Sequence, residues 1–177
     1  MITESLHHSH HEKGAHGFGG IIGGLRQSVH HNLYAHHSSR NPKVSGRRHC
    51  EVDFRNNVIY NWGSNSCYDG TSSYMNWANN YYKAGPGTKN DVRDRIFRLS
   101  DEDTDKKNES WRDSEKYETS LYAERNNVDG FPAVTADNWN GGIDFNYGAS
   151  EAKNRAHAPF DFPGITEQTA IWRCWTS

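Results

Sequence analysis

The fold is decided by the stretch Val52-Asp53-Phe54-Arg55-Asn56-Asn57-Val58-Ile59-Tyr60, which joins two short strand patterns through a pair of asparagines. In its first half, apolar Val52 and Phe54 alternate with polar neighbours, as in a strand with one buried face. Asparagine tolerates the unusual backbone angles of turns. The apolar pair Val58 and Ile59 then begins a second strand. The stretch therefore predicts a strand, an asparagine turn and another strand.

The same pattern recurs along the chain. It returns at His30-His31-Asn32-Leu33-Tyr34, Ala78-Asn79-Asn80-Tyr81-Tyr82 and Arg125-Asn126-Asn127-Val128. When Asn32, Asn57, Asn80 and Asn127 are taken as equivalent, the steps are 25, 23 and 47 residues, and we interpret the last as two steps of about 23.5. His8 extends the register backwards by 24 residues. A fixed period of this kind is typical of stacked structural repeats.

The period selects among repeat architectures. Helical repeats are longer and need a helix-spaced apolar stripe that is absent here, and leucine-rich repeats need more leucines than this chain has. What remains is a parallel β-solenoid, in which strands of successive coils lie about 4.8 Å apart and equivalent asparagines form a ladder. We predict an all-β fold, an incomplete solenoid of roughly 23–25-residue coils, with about seven coils in 177 residues.

The composition sets limits on the size and class of the protein. The chain has 177 residues, of which 33% are hydrophobic, and a net charge of −2, so we predict a single β-helix domain or fragment over residues 1–177 with a thin core. No apolar run reaches the ~18 residues of a membrane span, and the opening residues lack a secretory signal. The three cysteines form no Cys-x-x-Cys motif, and the sequence leaves open whether Cys50 and Cys67 form a disulfide.

Charge is distributed unevenly. Residues 1–49 contain ten of the eleven histidines and six basic side chains against two acidic ones, so this part would attract a polyanion. Residues 91–125 contain eleven acidic and eight basic side chains with few apolar ones. We predict that this second stretch is a charged loop excursion from the core.

A family resemblance rests on the segment His30-His31-Asn32-Leu33-Tyr34-Ala35-His36-His37-Ser38-Ser39-Arg40-Asn41-Pro42-Lys43. It resembles the pectate lyases of polysaccharide lyase family one, whose signature couples a His-His-Asn strand to an Arg-x-Pro motif eight residues on. The resemblance extends through residues 12–24 and 52–63, and more weakly to residues 79–88 and 135–142, about three quarters of the chain. The chain resembles the C-terminal portion of such an enzyme, which implies a right-handed parallel β-helix.

The resemblance also implies a function. Pectate lyases are secreted enzymes that cleave polygalacturonate by β-elimination, in which a base removes the proton α to the uronate carboxyl and the 4-linked sugar leaves. Cations must stabilise the negative charge that develops on the carboxylate, and in the family calcium takes this role. The expected partner is therefore an acidic polysaccharide, pectate or polygalacturonate, with calcium as cofactor and without nucleic acid or membrane.

The motif match assigns Arg40 to the catalytic base. A guanidinium normally stays protonated up to a pH of about 12, so this role implies a high working pH. Pro42 occupies the proline of the motif, and its fixed φ would hold the strand of Arg40 rigid.

Other basic residues are candidates for binding the substrate carboxylates. Lys13 corresponds to a family lysine with this role. Ser45 stands where the family often has a second arginine, so Lys43, Arg47 or Arg48 would substitute for it. His16 belongs to a histidine-rich segment that we expect to line the groove.

No metal ligand can be assigned from the sequence. The acidic calcium ligands of the family come from coils that precede the motif, and no equivalent is found here. The histidines at positions 7, 8, 10, 11 and 16 lack the i, i+4 spacing of a zinc-binding helix, and Gly14 opposes a helix there. Two alternatives to a lyase stay open, a non-catalytic β-helix that binds acidic polysaccharide and an inactive fragment of a lyase.

Overall fold

A computed structural model of the chain describes residues 1–6, 10, 12, 14, 16–45, 49–101, 118–166 and 169–170. These residues form strands joined by turns, with two short helices and one turn of 3-10 helix. In chain order the strands are β1 (Ile2–Thr3), β2 (Ile21–Ile22), β3 (Gln27–His30), β4 (Leu33–Ala35), β5 (Lys43–Val44), β6 (Cys50–Arg55), β7 (Val58–Tyr60), β8 (Cys67–Asp69), β9 (Ser73–Ala78), β10 (Tyr81–Lys83), β11 (Phe97–Ser100), β12 (Ser120–Glu124), β13 (Asn127–Val128) and β14 (Ile143–Asn146). The helices are α1 (Pro132–Ala136) and α2 (Glu151–Asn154), and the 3-10 turn is Asn90–Val92.

The strands pair in parallel within three sheets. Sheet I contains β1, β4, β7, β10 and β13, sheet II contains β2, β5, β8, β11 and β14, and sheet III contains β3, β6, β9 and β12. From β3 onwards the chain passes from sheet III to sheet I to sheet II, and each new strand lies beside its equivalent in the previous coil. The architecture is a parallel β-helix, which confirms the fold class predicted from the repeat.

Inward-facing side chains form columns along sheet III. Val52 and Phe54 of β6 lie in register with Met75 and Trp77 of β9, and all four are fully buried. The rings of Phe54 and Trp77 stack with their centroids 4.2 Å apart, a contact that adds about 0.5–1.5 kcal/mol to the burial of their area. The alternation in the sequence therefore reflects the pleat of one strand, whose inward residues build the core.

The asparagine turns between sheets III and I form the predicted ladder. The backbone N–H groups of Asn32, Asn57 and Asn80 donate to the Oδ1 atoms of Asn57, Asn80 and Asn126, respectively, at 2.9, 2.9 and 3.0 Å. Asn126 in turn donates its backbone N–H to Oδ1 of Asn138, 2.9 Å away. Each buried side chain thus satisfies polar backbone groups of the neighbouring coil, which would otherwise cost free energy.

The residue before each of the first four ladder asparagines has a left-handed backbone. The φ angles are 55° at His31, 54° at Asn56, 57° at Asn79 and 58° at Arg125. L-residues seldom adopt this region, and asparagine and histidine are among those that enter it most readily. The turn is therefore specified by a pair of positions, a left-handed residue followed by the ladder asparagine.

The interpretation of the 47-residue step as two coils is wrong. Strand β9 pairs directly with β12, and β10 with β13, so a single coil covers this distance. The ladder residue is Asn126 and not Asn127, because Asn127 lies in register with Tyr81. The predicted number of about seven coils is too high for the same reason, since in the part of the chain that the structure describes sheets I and II have five strands each.

Two sequence predictions concern residues that the structure describes only in part or not at all. His8, which extended the repeat backwards, lies outside them. The 91–125 stretch predicted as a charged excursion contains strands β11 and β12, and residues 102–117 within it also lie outside the described part.

The outer face of sheet III is covered by the segment that follows α2. Asn76 exchanges two hydrogen bonds with the backbone of Phe160, at 2.9 Å each, and the Phe160 ring stacks on Tyr74. The cover explains why Asp53, which faces outward from β6, is fully buried, where Arg55 and Asn76 hydrogen-bond to its carboxylate. The outward face of sheet II, by contrast, carries the exposed residues Ile21, Arg98 and Asp144, and we call it the open face.

The core contains thiols and phenols that are held in their protonated forms. Cys50 and Cys67 are both free and buried, so no bridge joins them. The Cys67 thiol donates to the backbone oxygen of Asn41, 2.7 Å away. Burial raises the pKa of Cys50, of Cys67 and of the Tyr82 phenol, and raises the pKa of Tyr34 to about 12.

We expect the free energy of unfolding to fall as the pH rises above about 9. Unfolded thiols and phenols ionise at ordinary pKa values of 9.0 and 10.0, whereas the native groups hold their protons. Their contribution is fully present below the unfolded pKa and is lost as the pH rises through the native one, which is about 12 for Tyr34. Urea unfolding followed by tryptophan fluorescence at several pH values measures the decline. A free energy that stays constant across this range would contradict the expectation, and Cys67→Ala should make its onset shallower.

Candidate functional site

Arg40 lies in the turn from sheet I to sheet II, between the bridge that pairs Ser39 with Phe18 and the start of β5. Its φ angle is 65°, and its carbonyl oxygen accepts the backbone N–H of Gly20 at 2.9 Å. A Cβ atom on Gly19 would come within 2.2 Å of that oxygen. The glycine-rich segment is thus needed for close backbone approach beside Arg40.

The side chain of Arg40 is half-buried and stacks on Phe18. The guanidinium carbon lies 4.3 Å from the centre of the Phe18 ring, which is a favourable cation–π distance. The Nε atom is buried and has no hydrogen-bond partner among the described residues. Arg40 is therefore held by its backbone and by ring stacking, with hydrogen-bonding capacity left unused.

The motif that contains Arg40 is tied to the next coil. Asn41 donates its backbone N–H to Ser66 and its side-chain amide to Asn65, both at 3.0 Å. Pro42 is buried, and its carbonyl oxygen accepts the backbone N–H of Tyr68 at 3.3 Å. These bonds fix the segment that follows Arg40, and the rigid role of Pro42 stays a prediction.

One column of side chains faces outward from sheet II. Because the neighbouring positions Val44, Cys67 and Phe97 are buried, the alternate positions point to solvent. The outward column consists of Ile21, Lys43, Tyr68, Arg98 and Asp144. Its second member, Lys43, lies three residues after Arg40, and the column gives the site a mixed face with cations and one aromatic ring.

Ion pairs occupy part of this face. Lys43 Nζ lies 3.1 Å from Asp69 Oδ2, and both side chains are partly exposed, so this pair contributes little stability. Arg95 is almost fully buried and binds Asp144 Oδ2 at 2.9 Å as well as the Ser64 carbonyl oxygen at 2.7 Å. Arg95 therefore positions the turns, whereas Lys43 is a partly exposed cation paired with Asp69.

The predicted site residues have different positions. His16 is half-buried, hydrogen-bonds to the Gly14 carbonyl oxygen at 2.9 Å and lies with its ring 4.8 Å from that of Phe18. Phe18 thus joins His16 to Arg40, a contact that the sequence did not predict. Lys13 and Arg47 lie outside the described residues.

Tyr68 and Arg98 were missed by the sequence analysis. In the outward column, Tyr68 lies 25 residues after Lys43, and Arg98 lies 30 residues after Tyr68. The regular 23–25-residue period would have found Tyr68. It would have missed Arg98, because the coil that contains the Asn90–Val92 turn is longer.

The residues in the described part do not fit a calcium site. They contain no group of three or more histidine, cysteine, aspartate or glutamate residues able to hold an ion, and the acids Asp69 and Asp144 on the open face are paired with cations. Calcium is bound by six to eight oxygen ligands, usually including several carboxylates. His7, His8 and His11 of the histidine-rich segment lie outside the described residues.

The fold and the site define a parallel β-helix with an arginine at the border of an open, partly cationic strand face. Comparison with known proteins finds relatives of this chain. The chain is 42% identical over 80 residues to the probable pectate lyase C of Aspergillus terreus and 43% over 81 residues to that of Neosartorya fischeri. Each match covers 41% of this chain and 18% of the relative.

The probable pectate lyase C of Emericella nidulans is 40% identical over 76 residues. The matched part of the chain therefore spans about a fifth of the length of these curated relatives. No protein-family model matches the chain. The resemblance to pectate lyases inferred from the His-His-Asn and Arg-x-Pro motifs is confirmed over the matched part. Among the described residues, no helix has the length and apolar character needed to span a membrane.

Proposed function

We propose that the protein cleaves polygalacturonate by β-elimination, as a pectate lyase does, and acts outside the cell. The observation that carries the proposal is the position of Arg40 in the β-helix. Its backbone is fixed by the Gly20 hydrogen bond, its guanidinium lies on Phe18, and its Nε has no partner among the described residues. Lys43 follows three residues later on the open face.

The proposed reaction needs two proton transfers and one cleavage of a carbon–oxygen bond. Arg40, in its neutral form, takes the proton from the carbon α to the uronate carboxyl, and the electrons left on that carbon form a double bond as the bond to the 4-linked sugar oxygen breaks. Solvent water then protonates the leaving oxygen, which departs as a sugar hydroxyl. The ammonium of Lys43, which is partly exposed and paired with Asp69, favours the negative charge that develops on the carboxylate. Because a guanidinium gives up its proton only at high pH, the rate should rise with pH until the fold itself becomes unstable.

Calcium assistance is implied by the resemblance to pectate lyases, but the described residues offer no ligand set for it. The elimination is accordingly proposed through the cationic side chains alone. Lys13 and Arg47 remain proposed carboxylate-binding residues by motif match, and His16 a groove residue through its contact with Phe18.

A second candidate function is binding of acidic polysaccharide without cleavage. The absence of a calcium ligand set among the described residues favours it, because a cationic face attracts a polyanion whether or not a metal is bound. Both candidates bind acidic polysaccharide, but only the lyase cleaves it.

The protein is expected to release unsaturated product from polygalacturonate at alkaline pH. The increase of ultraviolet absorbance is followed with and without added calcium, and retention on a pectate column is measured in parallel. Absorbance that stays at the level of a protein-free control, with retention on the column, would contradict the lyase and support the binding protein. Absence of both would contradict both functions.

A further inference from the structure

A cleft of about 300 Å³ lies where the turns from sheet I to sheet II stack on one another. Its lining includes His36, Ser38, Asn61, Gly63 and Gly87, and among the described residues no lysine, arginine, aspartate or glutamate lines it. The volume is at the lower end of the range for small-ligand sites. The cleft adjoins the proposed active site, because Ser38 precedes Arg40 by two residues on the same turn.

The hydrogen bonds in the cleft fix the orientation of one histidine ring. The backbone N–H of Gly87 donates to Asn61 Oδ1 at 2.7 Å, which identifies the oxygen of that side-chain amide. The other amide atom, Nδ2, therefore donates to His36 Nδ1, 2.9 Å away. In the neutral imidazole the ring proton is then carried by Nε2.

The network is held in place by the local backbone. His36 and Asn61 both have left-handed φ angles, 63° and 51°, and the His36 backbone N–H donates to the Tyr60 carbonyl oxygen at 3.2 Å. The rings of His36 and Tyr60 meet edge to face with centroids 5.2 Å apart. A Cβ atom on Gly85 would lie 2.3 Å from Asn61 Oδ1, so a glycine there gives the amide its room.

The arrangement leaves one fixed donor on an exposed side chain. His36 is exposed, its Nδ1 is occupied by Asn61, and its Nε2 carries the proton. A donor that is already oriented binds an acceptor without the entropic cost of ordering a side chain. Because the described lining residues include no lysine, arginine or carboxylate, the complementary ligand is an uncharged acceptor such as a hydroxyl oxygen.

We infer that this cleft binds the hydroxyl face of a sugar ring of the polysaccharide, through the Nε2–H of His36, without contacting the carboxylate of that ring. The inference rests on the proposed function, since it adds a binding site for the same polymer beside Arg40. It distinguishes two kinds of contact along the polymer, with Arg40 and Lys43 recognising charge and His36 recognising hydroxyl groups. Asn61 acts as a positioning residue for His36.

The test compares the binding of polygalacturonate with that of highly methyl-esterified pectin. His36→Asn removes the imidazole and keeps a residue that tolerates the left-handed backbone, and it should weaken binding of both polymers by a similar factor of about three to ten. Lys43→Gln should weaken binding of polygalacturonate alone. His31→Asn is the matched control, because His31 is also exposed with a φ of 55° but lies in a different turn, and its affinities should equal those of the wild type.

The tautomer provides a readout independent of binding. In the wild-type protein, ¹⁵N spectra of the His36 ring should show a protonated Nε2 and an unprotonated Nδ1, and Asn61→Ala should mix the two forms. His36→Asn binding with wild-type affinity, or a loss confined to polygalacturonate, would overturn the inference while wild-type binding leaves the proposed function standing. A folded wild-type protein that binds neither polymer would overturn both. Circular dichroism establishes that each variant is folded.

Discussion

Replacement of Arg40 by asparagine is expected to lower the rate of product formation from polygalacturonate by about 10²–10⁴, the range typical of a general base. The substitution removes the group proposed to accept the proton, while asparagine tolerates the φ angle of 65° found at this position. Loss of the contact with Phe18 should cost only about 0.5–1 kcal/mol of stability. The rate is measured from ultraviolet absorbance at saturating polygalacturonate, with circular dichroism to establish folding.

A matched control separates catalysis from the loss of one positive charge. Arg125 also has a left-handed backbone, with a φ of 58°, but it lies in the turn between sheets III and I, away from the open face of sheet II. Arg125→Asn changes the net charge by the same amount and should leave the rate within about twofold of the wild type, as expected for a change remote from the site. Equal rates for the two variants would remove Arg40 from the mechanism.

Replacement of Asn80 by aspartate is expected to lower the free energy of unfolding by about 3 kcal/mol or more. Asn80 is fully buried, and its Nδ2 donates to the Phe54 carbonyl oxygen at 3.0 Å and to Asn126 Oδ1 at 2.9 Å. A carboxylate of the same shape keeps the acceptor for Asn57 but turns an oxygen towards these two acceptors. Urea unfolding at neutral pH, with the m-value compared between variants, measures the change.

The comparison for Asn80 is a ladder residue near the end of the stack. Asn32 is only partly buried, and its side-chain amide donates to the His30 carbonyl oxygen at 2.8 Å. Asn32→Asp should cost about 1 kcal/mol, since water can solvate the new charge. If the two substitutions were equally costly, burial would not be what makes the ladder important.

The strands and the ladder were predictable because each coil repeats the same local chemistry. Val52 and Phe54 had to face the core once their strand was recognised, and the asparagine turn gave the step between coils. The last step was divided into two coils because the length of one connection is not written in the repeat. Its ladder residue was displaced by one position because Arg55-Asn56-Asn57 and Arg125-Asn126-Asn127 look equivalent. The left-handed residue is Asn56 in the first case and Arg125 in the second, so equal letters occupy positions that differ by one.

The candidate site was predictable only where it follows a local motif. Arg40, Pro42 and Lys43 lie within four consecutive residues, so one local motif contains all three. Phe18 and Arg98 come from other coils, and their positions depend on how far the chain travels between coils. The outward column of sheet II advances by 22, 25, 30 and 46 residues from Ile21 to Asp144. No period taken from one sheet supplies such distances.

The number of residues between paired strands differs from coil to coil, and this affects which insertions the fold can accept. The pairing of β9 with β12 is continuous over five residue pairs although 46 residues separate Trp77 from Ala123, so the register does not depend on the length of the connection. Doubling a flexible connection costs only about 0.6 kcal/mol of closure entropy. Insertions at the corners can therefore enlarge or reshape the surface that meets a polymer, while the rungs beneath keep their alignment.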